Sequence, residues 1–403
     1  MAQTQTQLKF ISAISSASLT QTAMQDVIEQ LAREPLEQVD LAIVFASADH
    51  VENFELIYVM LQEAIAPEHV VGMTAEGVIG VNRELQRQSG LVVLAASLPG
   101  AAVTPFSYDQ LDWPMVLNHP ESLCESLNPF ENDLKAMLLL ADPFSTPTVK
   151  LLPALNQAFP QVPVVGGMAS AAREPGKNRL VIDGEILSEG AVGLTIAGDL
   201  DVQCTVSQGC RPIGKPFVIT KAKRHLVQEL GGRSAYQMVR ETIESLDDEM
   251  RELVRNKGIL LGRVLNEYKD RFGRGDFLIR NLVGYDEDAG YIAVNDTQVR
   301  VGQTVQFHVH DEQTAIEDFR LLLQGQSIHG PASGALLFSC NGRGVNLFKE
   351  PNQDATMVHE ALGNMPLAGV FAAGEIGPIN NTTYMHGHTA SLMVFRPQLP
   401  DAE

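Results

Sequence analysis

Three glycine-bearing apolar stretches constrain the fold of this chain more than any other feature: GMTAEGVIG at 72–80, GGMAS at 166–170 and GVFAAGEIG at 369–377. Each comes after a continuous apolar run and a helical pattern, and each is followed by a further apolar run. The first set is LAIVFAS (41–47), a helix face of Phe54, Ile57, Leu61 and Ile65, VVGMTAEGVIG (70–80) and GLVVLAASL (90–98). The second is AMLLLADPFS (136–145), a helix with Leu151, Leu152, Leu155 and Phe159, VPVVGGMAS (162–170) and EGAVGLTIAG (189–198). The third is ALLFSC (335–340), a segment with Met357, Ala361 and Leu362, PLAGVFAAGEIG (366–377) and TASLMVF (389–395). Short unbroken apolar runs are strands buried on both faces. The order strand, helix, glycine strand, strand therefore occurs three times. It predicts an α/β (α+β layered) fold of mixed β-sheets covered by helices, in two domains built from one repeated strand-helix-strand-strand unit.

Different material separates the second and third sets. RPIGKPFVIT (211–220), with two prolines, reads as an edge segment or interdomain crossing. Ser234 and Gln237 form a capping-box start, and the charged stretch 241–255 reads as one helix with a solvated face. FLIRNLVGY (277–285) and YIAVND (291–296) read as a hairpin. VQFHVHD (305–311) alternates, which predicts a half-buried strand with His308 and His310 on its polar face.

At 403 residues the chain can bury a large core, and its net charge of −20 disfavours nucleic acid and anionic membranes as partners. The N-terminal sequence MAQTQTQLKF lacks the pattern of a signal peptide, and no apolar run reaches the ~20 residues of a membrane span. The four cysteines, without C-x-x-C spacing, read as reduced thiols of a cytoplasmic protein.

Chemistry-bearing residues gather in the C-terminal half. ALLFSCNGRG (335–344) delivers Cys340, Asn341 and Arg343 at the carboxyl end of a buried strand, where open α/β sheets place ligands. Arg280 and Asn281 interrupt an apolar strand. A charge in that company needs a partner, either a ligand or an internal carboxylate such as Glu375. Glu375, between Gly374 and Gly377, reads as inward and constrained, as a ligand contact or as a turn-capping carboxylate. His386 and His388 share a loop region with Asn380, Asn381 and Thr383. Neither this pair nor His308 and His310 has a third residue at metal-ligand spacing, so no metal is expected. A nucleophile–base–orienter set of Cys340, His386 and Glu375 is the one enzymatic arrangement the residues allow. No phosphate-binding loop, GxSxG or GxGxxG is present.

Taken in order, these stretches resemble FIST-domain proteins. LAIVFAS, VVGMTAEGVIG, LLLADPFS, VVGGMAS and QGCRPIG (208–214) match the N-terminal module. DFLIRNLVGYD (276–286), VQFHVHD, FSCNGRG, GVFAAGEIGPI and HGHTAS (386–391) match the C-terminal one. The resemblance implies modules at 1–222 and 223–403. It also implies a cytoplasmic sensory role toward small ligands such as amino acids or related metabolites, with Arg280, Asn281, Cys340, Arg343 and Glu375 as functional positions. His310, and the HGH of 386–388, depart from the family pattern. No output domain remains beside the two modules, so signalling is expected to run through a separate protein. The expected ligand-binding set is Arg280, Asn281, Cys340, Asn341, Arg343, Glu375, Asn381 and His386, with no cofactor required. Two alternatives stand beside it: a haem-binding nitric-oxide or gas sensor, and a thiol enzyme using Cys340.

Overall fold

Gly72, Gly166 and Gly369 occupy equivalent places in three copies of one unit, each where no side chain fits. A Cβ on Gly72 would lie 2.1 Å from the carbonyl oxygen of Val44, on Gly166 1.8 Å from that of Leu139, and on Gly369 2.0 Å from that of Leu337. In all three cases the obstructing residue is the glycine's register partner on the neighbouring parallel strand. The recurring glycine is thus a packing requirement of a repeated parallel pair.

The computed structural model describes residues 8–128 and 133–398. They form two compact units. One holds the described residues up to Val206, Leu322–Met385 and those from Ala390 on; the other holds Ser207–Leu321 and His386–Thr389. The three repeats described below fall in the first of them, except that Ser207 and His386 are counted with the second.

Every repeat opens with a strand: Lys9–Ser15, Ala101–Ser107 or Leu200–Ser207. The parallel pair follows, as Leu41–Ser47 with His69–Ala75, Leu134–Ala141 with Val164–Met168, and Gly334–Cys340 with Leu367–Ala372. A helix joins the two members of each pair: Phe54–Ile65, Thr148–Ala158 or Gln353–Leu362. This is the crossover that parallel strands require. A short hairpin and a return strand, Leu91–Ser97, Ala191–Gly198 or Ala390–Pro397, complete the repeat.

The hairpins do not stay with their own sheets. The first repeat's hairpin, Gly77–Gly80 with Arg83–Gln86, adds to the third repeat's sheet by pairing Gly80 with Ala368. The second repeat's, Leu180–Ile182 with Glu185–Leu187, adds to the first by pairing Leu180 with Met73. The third repeat's, Glu375–Ile379 with Thr382–His386, adds to the second by pairing Glu375 with Gly167. The exchange closes a cycle of three six-stranded sheets with the same strand order. VVGMTAEGVIG, expected as one strand, is accordingly two strands in two sheets, divided at Glu76.

Alternation along each strand builds two kinds of core. Ile43 and Phe45, Leu138 and Leu140, and Leu336 and Phe338 all join one cluster shared by the three sheets. Their neighbours Ala42 and Val44 pack outward against Met24, Val27, Phe54, Ile57 and Leu61 of the helices Thr20–Leu31 and Phe54–Ile65. Both faces of the strands are therefore apolar.

A buried charge cluster joins the first and third repeats. Arg343 and Asp354, neither with exposed side-chain surface, make a two-pronged pair, with Nε and Nη2 donating to Asp354 at 2.9 and 2.7 Å. Ser339 Oγ also donates to Asp354, at 2.7 Å. Glu84, on the exchanged hairpin, accepts a hydrogen bond from Ala355 N at 2.9 Å, within the first turn of Gln353–Leu362. Burial, reinforced by the Asp354 charge, pushes Glu84 up to about 8. The unfolded chain then releases this proton near 4.5 while the native state keeps it, so stability falls as pH rises from 4.5 to about 8. Glu84→Gln should remove roughly 2 kcal/mol of stability loss between pH 5 and 7. Urea denaturation of both proteins at the two pH values checks this. Parallel pH dependences would refute it.

The second unit contains a seven-stranded sheet. Its chain begins at Ser207, the last residue of the third repeat's opening strand, so in sequence it interrupts that repeat. Cys210–Lys223, expected as an edge or crossing segment, is a long strand paired on both sides, with Thr304–His310 through its first part and with Leu226–Leu230 through its last; the pairing with Thr304–His310 shifts register between Ile213 and Phe217, around the second of its prolines. The expected helix at 241–255 is two helices, Ala235–Glu244 and Asp248–Lys257. The break lies where Asp247 caps the second by accepting from Met250 N at 2.8 Å. Ser234 caps the first by accepting from Gln237 N at 3.3 Å. Phe277–Asp286 and Tyr291–Val294 form the expected hairpin. Thr304–His310 is not half-buried: His308 and His310 are as enclosed as Val305, Phe307 and Val309. Alternation in sequence therefore does not mark a wet face here.

Candidate functional site

In the first unit a pocket of about 610 Å³ lies where strand ends of all three repeats meet. The residue four places after each packing glycine lines it: Glu76, Ser170 and Ala373. Pro143 and Asn341, at the ends of the first parallel strands of the second and third repeats, line it too. Carboxyl ends of parallel strands are where α/β sheets gather ligands, because the loops there are free to vary.

One hydroxyl ties the three repeats together at this point. Ser170 Oγ donates to Phe371 O at 2.5 Å in the third repeat and accepts from Glu76 N at 2.8 Å in the first. Asp142, fully buried, holds the adjoining loop by accepting from Phe144 N and Ser145 N, both at 3.0 Å. Its other oxygen accepts from Asn178 Nδ2 at 3.1 Å, and Asn178 Oδ1 accepts from Ala172 N at 3.0 Å. Phe144 and Arg173 are thereby carried on braced loops at the pocket wall.

The charges are divided between committed and free groups. Arg87 bonds Asn346, which donates to Asn341 O at 2.7 Å. Arg173 and Glu76 make no side-chain hydrogen bond or ion pair among the described residues, and the buried Asn341 Oδ1 has no partner among them either. A free guanidinium, a free carboxylate and an unmet acceptor suit a ligand carrying both charges. Among the described residues no His, Cys, Lys or Asp lines the pocket. Its hydroxyl, on Ser170, is already a donor to a backbone carbonyl, so the wall offers recognition groups and no activated nucleophile.

The sequence-derived residues are distributed as follows. Cys340, Asn341 and Arg343 share one loop of the first unit, and Asn341 reaches the pocket. Cys340 Sγ accepts from Gly342 N at 3.4 Å. Arg343 is buried beneath, on Asp354, with the Phe348 ring 5.2 Å from its guanidinium carbon. Glu375 is buried at the start of its hairpin. Asn381, with Asn380, forms that hairpin's turn with positive φ at both residues, a conformation asparagine tolerates well. In the second unit, Arg280 Nε lies 3.5 Å from Asp296, which also takes Arg263 Nε at 3.2 Å, so the internal carboxylate beside Arg280 is Asp296. Asn281 Oδ1 lies 2.7 Å from His388 Nε2, and His386 is buried. Of the thiol-enzyme set, Cys340 and Glu375 belong to the first unit, and His386, the last residue of the third repeat's hairpin, is counted with the second. Among the described residues no three His, Cys, Asp or Glu side chains gather as a metal site requires. No helix there is long and apolar enough to cross a membrane.

Glu76, Phe144, Ser170 and Arg173 were not among the expected residues. Superposing the three glycines in sequence would have marked Glu76 and Ser170, since both stand four places on. Arg173 carries no such signal.

Comparison with known proteins agrees with the resemblance read from the sequence. The family models for the FIST N domain and the FIST C domain match residues 40–233 and 235–378. The chain is 38% identical over 383 residues to the uncharacterized protein Mb0898c of Mycobacterium bovis, covering 93% of this chain and 96% of that one. It is 36% identical over 371 residues to the uncharacterized protein Rv0628c of Mycobacterium tuberculosis, covering 88% and 91%. A crystal structure of cyanuic acid hydrolase from A. caulinodans aligns over 97% of this chain and all of that one. At 8% identity and a TM-score of 0.30, it carries no argument about activity. FIST domains are sensory domains linked to signal transduction and small-ligand sensing, and are not a known enzyme family. With matches to both domains over nearly its whole length, the chain belongs to the FIST family.

Proposed function

We propose that this protein is a cytoplasmic sensor that binds an amino acid or a related small zwitterionic or acidic metabolite in the pocket where the three repeats meet, and signals through a separate protein. The observation that carries the reading is the pairing of an uncommitted guanidinium, Arg173, with an uncommitted carboxylate, Glu76, beside the buried acceptor of Asn341. Arg173 pairs with the ligand carboxylate, and Glu76 and Asn341 Oδ1 accept from its ammonium group. Phe144, 46% exposed, offers an apolar surface to the remainder of the ligand. Cys340 adjoins this wall without lining it, which favours recognition over thiol chemistry.

A thermal-shift screen of amino acids and small carboxylates tests this. Ligand at 100 times its Kd stabilises by about 2.7 kcal/mol, enough for a clear rise in Tm. At least one α-amino acid should produce it, and Cys340→Ala should respond like the wild type. A flat response across a broad panel would contradict the proposal.

A further inference from the structure

The second unit has a cavity of its own, of about 470 Å³, and most of its wall is unlike that of the first unit's pocket. Most of its charged groups are already committed. Arg274 Nη2 donates to Glu317 at 2.7 Å, with Arg211 acting on the same carboxylate. Asp311 accepts from both the backbone and the hydroxyl of Thr314, at 3.0 and 2.5 Å. Of these charged groups only the exposed Arg211 makes no side-chain hydrogen bond or ion pair among the described residues.

The other side of the cavity is aromatic. Phe272 and Phe277 meet edge to face at 5.8 Å, and Phe277 meets the His308 ring in the same way at 4.8 Å. His308 is seated over Gly262, where a Cβ would come within 2.4 Å of the imidazole, so the ring's position is imposed by the backbone. Its Nδ1 lies 3.0 Å from Gln306 O, which makes Nδ1 the protonated nitrogen and leaves Nε2 as an acceptor. No other hydrogen bond of His308 is present among the described residues. Burial drives its titration down to about 4, so the ring is neutral and Nε2 keeps its lone pair at physiological pH. Phe272 is half-buried and open to the cavity.

We propose that this cavity is a second binding site, for a small uncharged aromatic molecule that stacks on Phe272 and Phe277 and donates one N–H or O–H hydrogen bond to His308 Nε2. Offset and edge-to-face ring contacts supply the apolar part of the affinity. The single acceptor supplies the selectivity, since a ligand without the donor leaves Nε2 unmet.

The test uses the full chain with indole, benzofuran and benzoate as probes, followed by saturation-transfer NMR and calorimetry. Indole should bind. Benzofuran, the same shape with oxygen in place of N–H, should bind about tenfold more weakly. Benzoate should bind more weakly still. Phe272→Ala, at a half-exposed position, should weaken indole about tenfold while leaving the thermal midpoint near that of the wild type. Equal affinities for indole and benzofuran would overturn the proposal, as would undiminished indole binding in Phe272→Ala or no binding of indole at all. A preference for benzoate would overturn it too, as would a haem complex whose Soret band depends on His308.

Discussion

Gly166→Ala should destabilise the protein by about 3 kcal/mol or more, the upper end of what overpacking costs. The added methyl group would stand 1.8 Å from Leu139 O and 2.7 Å from Leu139 C, both backbone atoms that cannot rotate away. Relief requires the parallel pair Leu134–Ala141 and Val164–Met168 to part, at the centre of a sheet whose inner face belongs to the shared core. Gly72→Ala and Gly369→Ala should behave alike, because their obstructing atoms are the equivalent carbonyls of Val44 and Leu337. Gly325→Ala is the control. It lies in the helix Glu312–Ser327 with nothing within 4 Å of the new atom, and alanine should stabilise it by roughly 0.5–1 kcal/mol. Urea denaturation separates the two outcomes. A loss below 1 kcal/mol at all three strand glycines would contradict the packing explanation of the repeat.

Asp354→Ala should cost roughly 3–5 kcal/mol, the penalty of stranding a buried charge. Arg343 has no exposed surface, and both its Nε and Nη2 bonds go to this carboxylate. Replacing both partners with apolar residues of similar volume, as in Arg343→Met with Asp354→Leu, should recover much of the loss, since no unpaired charge then remains. Denaturation midpoints of the single and double variants check this; a double variant as damaged as the sum of the singles would contradict it. The same geometry bears on function. A loss of ligand binding in Arg343→Ala reports on the site only if the protein remains folded, whereas Arg173, exposed and unpaired, gives a cleaner reading.

How much of this was legible beforehand depended on how local the cause was. The three glycine strands were legible because close approach of two parallel backbones leaves its mark at one position, and the apolar runs because both strand faces are covered. The exchange of hairpins was not: Gly77–Gly80 and Glu375–Ile379 look like continuations of the strands before them, and their partners lie in other repeats. His308 and His310 misled for a related reason. Alternation implies a wet face only when nothing packs on it, and here both imidazoles are enclosed. The loop after ALLFSC does follow the end of a buried strand. Its parts diverge in three dimensions, however, with Asn341 on the pocket and Arg343 turned onto a carboxylate eleven residues away. Arg173 sits in a loop with no periodicity, beside Ala172, which Asn178 and Asp142 hold in place. The family resemblance reached the sensory class directly, while the choice of pocket needed the convergence of strand ends from all three repeats.

The central claim is that Arg173 and Glu76 together read a zwitterion. Calorimetric titration of the amino acid that most raises Tm, against the wild type, Arg173→Ala and Glu76→Gln, tests it most directly, with the ligand's N-acetyl and carboxamide derivatives as further titrants. The account predicts that Arg173→Ala weakens the parent ligand at least tenfold and no longer distinguishes it from the carboxamide. It predicts that Glu76→Gln likewise loses the distinction from the N-acetyl form. Unchanged affinity in both variants, with the derivatives still discriminated, would contradict it.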